Sequence, residues 1–169
     1  SKKAGKLRFI GFTGHKDPAI HLHMLDTAAK HGFTFDTVQL PVNVMDAHYK
    51  SFAKEVIPRA RDQNIGVLGM KPLGSGIILQ SGVVQAPECL RYSMSQPLSV
   101  QITGCDTMGV LEQALAVALD FTPMPAAEQE RLLLRTVRPA AGGRFERFKT
   151  SDQFDGTAHH PQWLETAQL

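Results

Sequence analysis

Asn64-Ile65-Gly66-Val67-Leu68-Gly69-Met70-Lys71-Pro72-Leu73-Gly74-Ser75-Gly76 carries two kinds of chain in thirteen residues. It opens as a short apolar run, the mark of a strand buried on both faces. It then breaks into Lys-Pro-Leu-Gly-Ser-Gly. Pro72 cannot continue a central strand, and the glycines admit backbone angles that other residues avoid. A buried parallel strand over residues 65–70 therefore ends in a tight polar loop. In α/β sheets that end of the strand is where ligands bind. The backbone N–H groups of Gly74 and Gly76 are expected to face an anion there. The same residues also read as an ordinary strand-to-helix turn, since a Gly-rich loop alone is weak evidence.

Working outward, residues 6–13 read as a strand and Gly14-His15-Lys16-Asp17-Pro18 as a turn, with Asp17-Pro18 opening a helix. That helix covers residues 19–31, with Gly32 as its C-cap. Residues 35–44 read as a second strand ending near Pro41, and residues 47–62 as a helix with Phe52, Val56, Ile57 and Ala60 on one side. After the strand at 65–70 comes a long loop over 71–85 and a short helix over 87–96. A fourth strand covers 98–103, followed by a helix over 107–119 capped by Asp106 or Thr107. A further helix covers 126–137, and Gly142-Gly143 opens an irregular tail carrying Phe145, Phe148, Phe154 and Trp163. Strand and helix thus alternate four times at about thirty residues each, the βαβ spacing. Right-handed crossovers place the strands parallel and adjacent. The result is half of a (β/α)8 barrel or a small open sheet. A Rossmann sheet would need Gly-x-Gly-x-x-Gly after its first strand, and Gly11-Phe12-Thr13-Gly14-His15 does not match.

The chain has 169 residues, enough for one domain with a real core. Hydrophobic residues make up 43% and charged residues 20%, as in a soluble globular protein. A net charge of +2 with both signs interspersed argues against a nucleic-acid partner. No run of about 18 apolar residues is present, so no membrane span is expected. Cys89 and Cys105 do not make a disulfide framework, which makes a reducing, cytoplasmic compartment the default. No signal peptide is visible after Ser1-Lys2-Lys3. Seven histidines raise the question of a metal, but His21 and His23 point apart on a helix, and no Cys or carboxylate stands at ligand spacing from His159-His160. No metal site is expected.

Five stretches together resemble the aldo-keto reductase family. They are residues 5–12 (Gly-Lys-Leu-Arg-Phe-Ile-Gly-Phe), 35–43 (Phe-Asp-Thr-Val-Gln-Leu-Pro-Val-Asn), 66–75, and 89–96 (Cys-Leu-Arg-Tyr-Ser-Met-Ser-Gln), then Ile102-Thr103-Gly104-Cys105 followed by Leu111-Glu112-Gln113-Ala114. The resemblance covers about residues 5 to 120 and corresponds to the family's fifth to eighth strands. It implies the C-terminal half of a TIM barrel over 1–122, four parallel βα units, with a C-terminal helix and irregular tail over 123–169 packing on the same domain. The family's catalytic Asp, Tyr, Lys and His come from its first four strands. His15, His48, Tyr49 and Tyr92 are therefore not those residues; both tyrosines fall in stretches read as helical. The chain reads as the cofactor-gripping half of an NAD(P)H-dependent oxidoreductase that reduces a small-molecule carbonyl by hydride transfer, without catalytic residues of its own. The alternative is a catalytically inactive half-barrel or assembly module, and a half-barrel with open sheet edges is expected to self-associate.

By position, the resemblance implies that Gln39 hydrogen-bonds the nicotinamide carboxamide, for which a side chain with both a donor and an acceptor suits. Thr13 and Gly14 stand where the family has Ser and often Asn. Met70 replaces the common ring-stacking Tyr. Lys71, Leu73, Gly74 and Ser75 would line the pyrophosphate, with Lys71 as a point charge. Gly104, Cys105, Asp106 and Gln113 lie toward the adenosine phosphate, and the usual Lys and Arg for a 2′-phosphate are replaced by Gly104 and Val110. NADPH is the expected cofactor, with NAD as the alternative. Each residue also has a plainer reading. Gln39 reads as a satisfied polar residue, Met70 as a core gap-filler, Lys71 as a solvated cation and Cys105 as a small buried residue.

Overall fold

A computed structural model describes Lys2 and residues 4–164; the end of the expected tail, residues 165–169, lies outside the described residues, as do Ser1 and Lys3. Four strands form one parallel sheet in chain order: β1 (Gly11–Thr13), β2 (Thr37–Pro41), β3 (Gly66–Met70) and β4 (Val100–Gln101). Helices α1 (Pro18–Lys30), α2 (Phe52–Asp62) and α3 (Ala86–Met94) connect them, and α4 (Met108–Leu119) follows β4. Then come α5 (Ala126–Thr136) and the short helices α6 (Arg147–Thr150) and α7 (Gly156–His159).

The local chemistry sets the helix ends. Asp17 caps α1 by accepting from the Ala19 N–H at 2.9 Å, with Pro18 in the first turn. Gly32, at φ 65°, ends the helix while the Phe33 N–H bonds Ala28 O at 2.9 Å. Thr107 rather than Asp106 caps α4.

Several elements are shorter than the sequence predicts. β1 begins at Gly11 instead of residue 6 and β4 holds two residues instead of six. Both are edge strands with one neighbour each, so the ladder stops where β2 or β3 stops offering partners. Phe9 is accordingly 68% exposed and Val100 50%. The helix expected over 47–62 is split. A 3-10 turn, Asp46–His48, is followed by Tyr49 in extended backbone and Lys50 in the left-handed region, and α2 starts only after Ser51. Tyr49 therefore does not lie in a helix, contrary to the sequence reading. The cause is Asp46, whose carboxylate accepts from Ser51 Oγ and from the N–H groups of Phe52 and Ala53, so a new helix begins there. The loop expected over 71–85 contains 3-10 turns from Gly74 to Ser81.

The register pairs Phe12 with Val38 and Val38 with Val67, and these point toward the helices. Val38, Leu40 and Val67 pack with Leu25, Phe52, Val56 and Ile57 in a core between the sheet and helices α1 and α2. A second core joins Val44, Met45, Ile78, Cys89 and Tyr92 to Met124, Leu132 and Ala140, which fastens α5 and the segment after it to the sheet-bearing body. Thr13, Gln39, Leu68 and Met70 alternate onto the opposite face.

Candidate functional site

The carboxyl ends of β1, β2 and β3 form a ledge. Thr13 and Gln39 are register partners on neighbouring strands, Thr13 exposed and Gln39 half-buried. Gln39 Nε2 donates to Met70 Sδ at 3.2 Å. Its Oε1 accepts no hydrogen bond among the described residues, so the amide keeps a free acceptor. The Gln39 carbonyl receives the Gly14 N–H at 3.4 Å and faces His21 Nε2 at 3.3 Å. The side chains of Thr13, Gln39 and Met70 thus share one sheet face at the strand ends. Gly14 lies just beyond β1.

Lys71 follows directly, held at φ 55°. Its ammonium lies 5.2 Å from the Phe148 ring centroid and 5.8 Å from that of Phe154, cation–π distances. No carboxylate pairs with it among the described residues. The two glycines behind it do not behave as the sequence suggests. The Gly74 N–H bonds Lys71 O at 3.1 Å and the Gly76 N–H bonds Leu73 O at 2.9 Å. Both donors close tight turns, so neither is available to an anion. Gly74 is buried, Leu73 packs against the second core, and Ser75 is exposed at φ 60°. Gly104, Cys105 and Asp106 form an exposed loop between β4 and α4. Gln113 lies apart from the ledge in a groove of about 510 Å³ between α3 and α4, lined also by Arg91, Ala116 and Asp120.

The histidines and tyrosines have structural settings. His21 is 2% exposed, packed against Phe12 and Phe52, and burial lowers its pKa. Its Nδ1 has no hydrogen-bond partner among the described residues, while His23 is exposed. His48 Nε2 meets Thr136 Oγ1 at 2.9 Å. Burial pushes the Tyr92 hydroxyl and the Cys89 thiol each up to about 12, so neither ionises near neutrality. Cys105 is exposed, not the small buried residue of the plainer reading. Among the described residues no three His, Cys, Asp or Glu side chains gather as a metal site, and no helix is long and apolar enough to cross a membrane.

One polar cluster was missed from sequence. Lys149 Nζ, fully buried, donates to Asp46 Oδ1 at 2.7 Å, Tyr49 O at 2.8 Å and Glu146 Oε2 at 3.0 Å. Asn43 Nδ2 donates to Glu146 Oε1 at 3.0 Å, and Asn43 Oδ1 accepts from the N–H groups of Met45 and Asp46. Two carboxylates share one ammonium in a buried site. Burial, with Asp46 adding to it, pushes Glu146 up to about 7 against the pull of Lys149 and Asn43. The cluster pins the tail to the loop after β2. The only local signal is Glu146 and Lys149, three apart and alternating with Phe145 and Phe148.

No family model matches the chain, and no curated protein matches it. Solved structures do. Aldo-keto reductase AKR11C1 from Bacillus halodurans is 12% identical in its apo form, over 85% of this chain and 56% of that one, with a TM-score of 0.60. Its holo form is also 12% identical, over 85% and 53%, at 0.61. The thermostable aldo-keto reductase Tm1743, in complex with the inhibitor epalrestat, is 12% identical over 79% and 50%, at 0.56. At this identity the likeness shows the fold: the chain folds as part of an aldo-keto reductase barrel. It spans about half the length of the solved structures it matches.

Proposed function

We propose that this chain is the dinucleotide-holding part of an NAD(P)H-dependent oxidoreductase of the aldo-keto reductase family, acting on a small carbonyl compound in the cytoplasm. The observation that carries the reading is the ledge itself. Thr13, Gln39 and Met70 share one sheet face at adjacent parallel strand ends, and Lys71 extends it with an ammonium that pairs with no carboxylate among the described residues. The residues suit the cofactor. Gln39 retains a free carbonyl oxygen to accept from a carboxamide N–H, Met70 offers a polarisable thioether to a ring, and Lys71 offers charge to a pyrophosphate. A bound reduced nicotinamide would supply the hydride. The chain's own residues bind and orient it. The exposed loop Gly104-Cys105-Asp106 carries no cation for a 2′-phosphate, so NAD stands beside NADPH as the ligand to test.

A second reading, an assembly module without activity, draws support from the open edges. Met108 is 67% exposed and Leu119 84%, and among the described residues β1 and β4 each lack an outer neighbour. Titration of NADPH and NADH fluorescence separates the two. With the ledge as binding site, Gln39→Ala and Lys71→Ala each weaken binding about five- to a hundredfold, as hydrogen bonds of roughly 1–3 kcal/mol imply. The Lys71 loss shrinks at high salt and the Gln39 loss does not. Unchanged affinity in both variants refutes the assignment.

A further inference from the structure

Resting on that ledge reading, we propose that the segment 146–154 is a strap across the strand ends, and that its Phe154 ring competes with a phosphate-bearing ligand for Lys71. The segment touches the loops after β1, β2 and β3 in turn. Glu146 and Lys149 bind Asn43 and Asp46 after β2. Lys16, after β1, donates to Ser151 O at 2.8 Å and to Asp152 Oδ1 at 2.9 Å. Phe148 and Phe154 stand over Lys71 after β3. An ammonium that is to meet a pyrophosphate needs an open approach, and here two rings take that approach.

The two ends of the strap are held unequally. The 146–149 end is buried: Glu146, Phe148 and Lys149 are each under 5% exposed. The 151–154 end is held by Lys16, which donates to Ser151 O and pairs with Asp152, itself 78% exposed, by the hydrogen bond of His15 to the Phe154 backbone, and by the Phe154 ring, 43% exposed. Surface ion pairs contribute little. The strap therefore releases from its 154 end while the buried end stays anchored. Lys71 exchanges the Phe154 ring for the anion and keeps Phe148.

The test uses the full chain with Phe154→Ala, Phe154→Tyr, Lys71→Ala and the Phe154→Ala/Lys71→Ala double variant. Phe154 is surface-exposed, so its loss leaves the cores intact. NADPH fluorescence titration should show Phe154→Ala tightening binding about two- to fivefold, the range expected for one lost cation–π contact. Phe154→Tyr should match the wild type because the ring remains. In the Lys71→Ala background, Phe154→Ala should have no effect, since the two residues act through one contact. Weaker binding in Phe154→Ala would overturn the proposal, because the ring would then be a wall of the site. So would equal tightening without Lys71. An independent readout is the acylation rate of the Lys71 amine by acetic anhydride, followed by peptide mass spectrometry. It should rise in Phe154→Ala, and inorganic pyrophosphate should slow it at lower concentration there than in the wild type. If NADPH binds no variant, the dinucleotide reading falls, and pyrophosphate protection alone judges the strap. An equal acylation rate or equal protection in the two proteins overturns it.

Discussion

Replacing Glu146 by Gln should raise stability, relative to the wild type, progressively as pH climbs from 5 to 8. Asp46, Glu146 and Lys149 share a buried site, and all three charged carry a net negative charge. Taking up a proton on Glu146 cancels that charge while Lys149 stays paired with Asp46 at 2.7 Å. The folded-state value of about 7 lies above the ordinary 4.5. A group raised on folding contributes stability that is full below its unfolded value and is lost as pH rises through its folded value. The window is therefore about pH 4.5 to 7, and the gap corresponds to roughly 3 kcal/mol at most. Gln keeps the volume and cannot ionise, and because its one oxygen serves Asn43 or Lys149 but not both, it also loses an acceptor, a cost that does not vary with pH. Urea unfolding of both proteins at pH 5, 6, 7 and 8 gives the difference directly. His15, His21 and His48, which burial holds below their ordinary value, work in the opposite direction, but they are present in both proteins and cancel. A stability difference that stays flat with pH, or that favours the wild type more at pH 8 than at pH 5, refutes the reasoning.

Other expectations follow from the same structure. Lys149→Met strands two buried carboxylates and should cost about 3–5 kcal/mol by urea unfolding at pH 7.5; a loss below about 1 kcal/mol would mean that water reaches the site. Gly143→Ala places a Cβ 2.7 Å from the Tyr49 ring and from Thr150 at φ 71°, and should cost roughly 1–3 kcal/mol, read as a lowered Tm by circular dichroism; an unchanged Tm contradicts the described tail path. The isolated chain should self-associate at micromolar concentration in sedimentation velocity, because parallel sheets are ordinarily covered on both faces and edges invite pairing; a dilute monomer that persists on concentration argues that the tail suffices as cover. The isolated chain should also oxidise NADPH no faster than buffer across a carbonyl panel, as the resemblance implies for this part of the barrel, and clear turnover would overturn that.

The alternation of strands and helices was legible because each unit carries its own local signals. Asp17-Pro18 opens α1, Gly32 closes it, Thr107 opens α4, and Pro72 ends β3. These are short-range effects of capping and of ring geometry, and they survive without knowledge of the partners. Strand length was not legible. Leu7 and Phe9 have the composition of a strand, yet strand pairing depends on a neighbour in space, and β2 offers register partners only from Gly11 onward. The break at Tyr49 was hidden for a related reason. Residues 47–62 have helical composition throughout, and what interrupts them is a capping carboxylate, Asp46, that reaches Ser51, Phe52 and Ala53.

The ledge and the strap differ in the same way. Gln39 and Met70 come from separate stretches, but each stands at the end of a parallel strand, and parallel register alone brings them onto one face. Besides Glu146, three positions back, the partners of Lys149 lie 100 and 103 positions away, at Tyr49 and Asp46, and no periodicity connects them. A lysine between aromatic residues in a polar tail reads as a solvated charge, because nothing nearby in the chain forces it inside. Its burial is decided by what the loop after β2 presents: an aspartate already committed to capping α2 and a backbone carbonyl freed by the extended Tyr49. Thus the break that the helical composition of 47–62 concealed is also what creates the acceptor for Lys149. With Lys149 seated there, Phe148 beside it and Phe154 further along are carried over the β3 end, where both rings meet Lys71. Whether Lys71 is open to an anion is therefore determined more than seventy residues downstream of the loop that contains it.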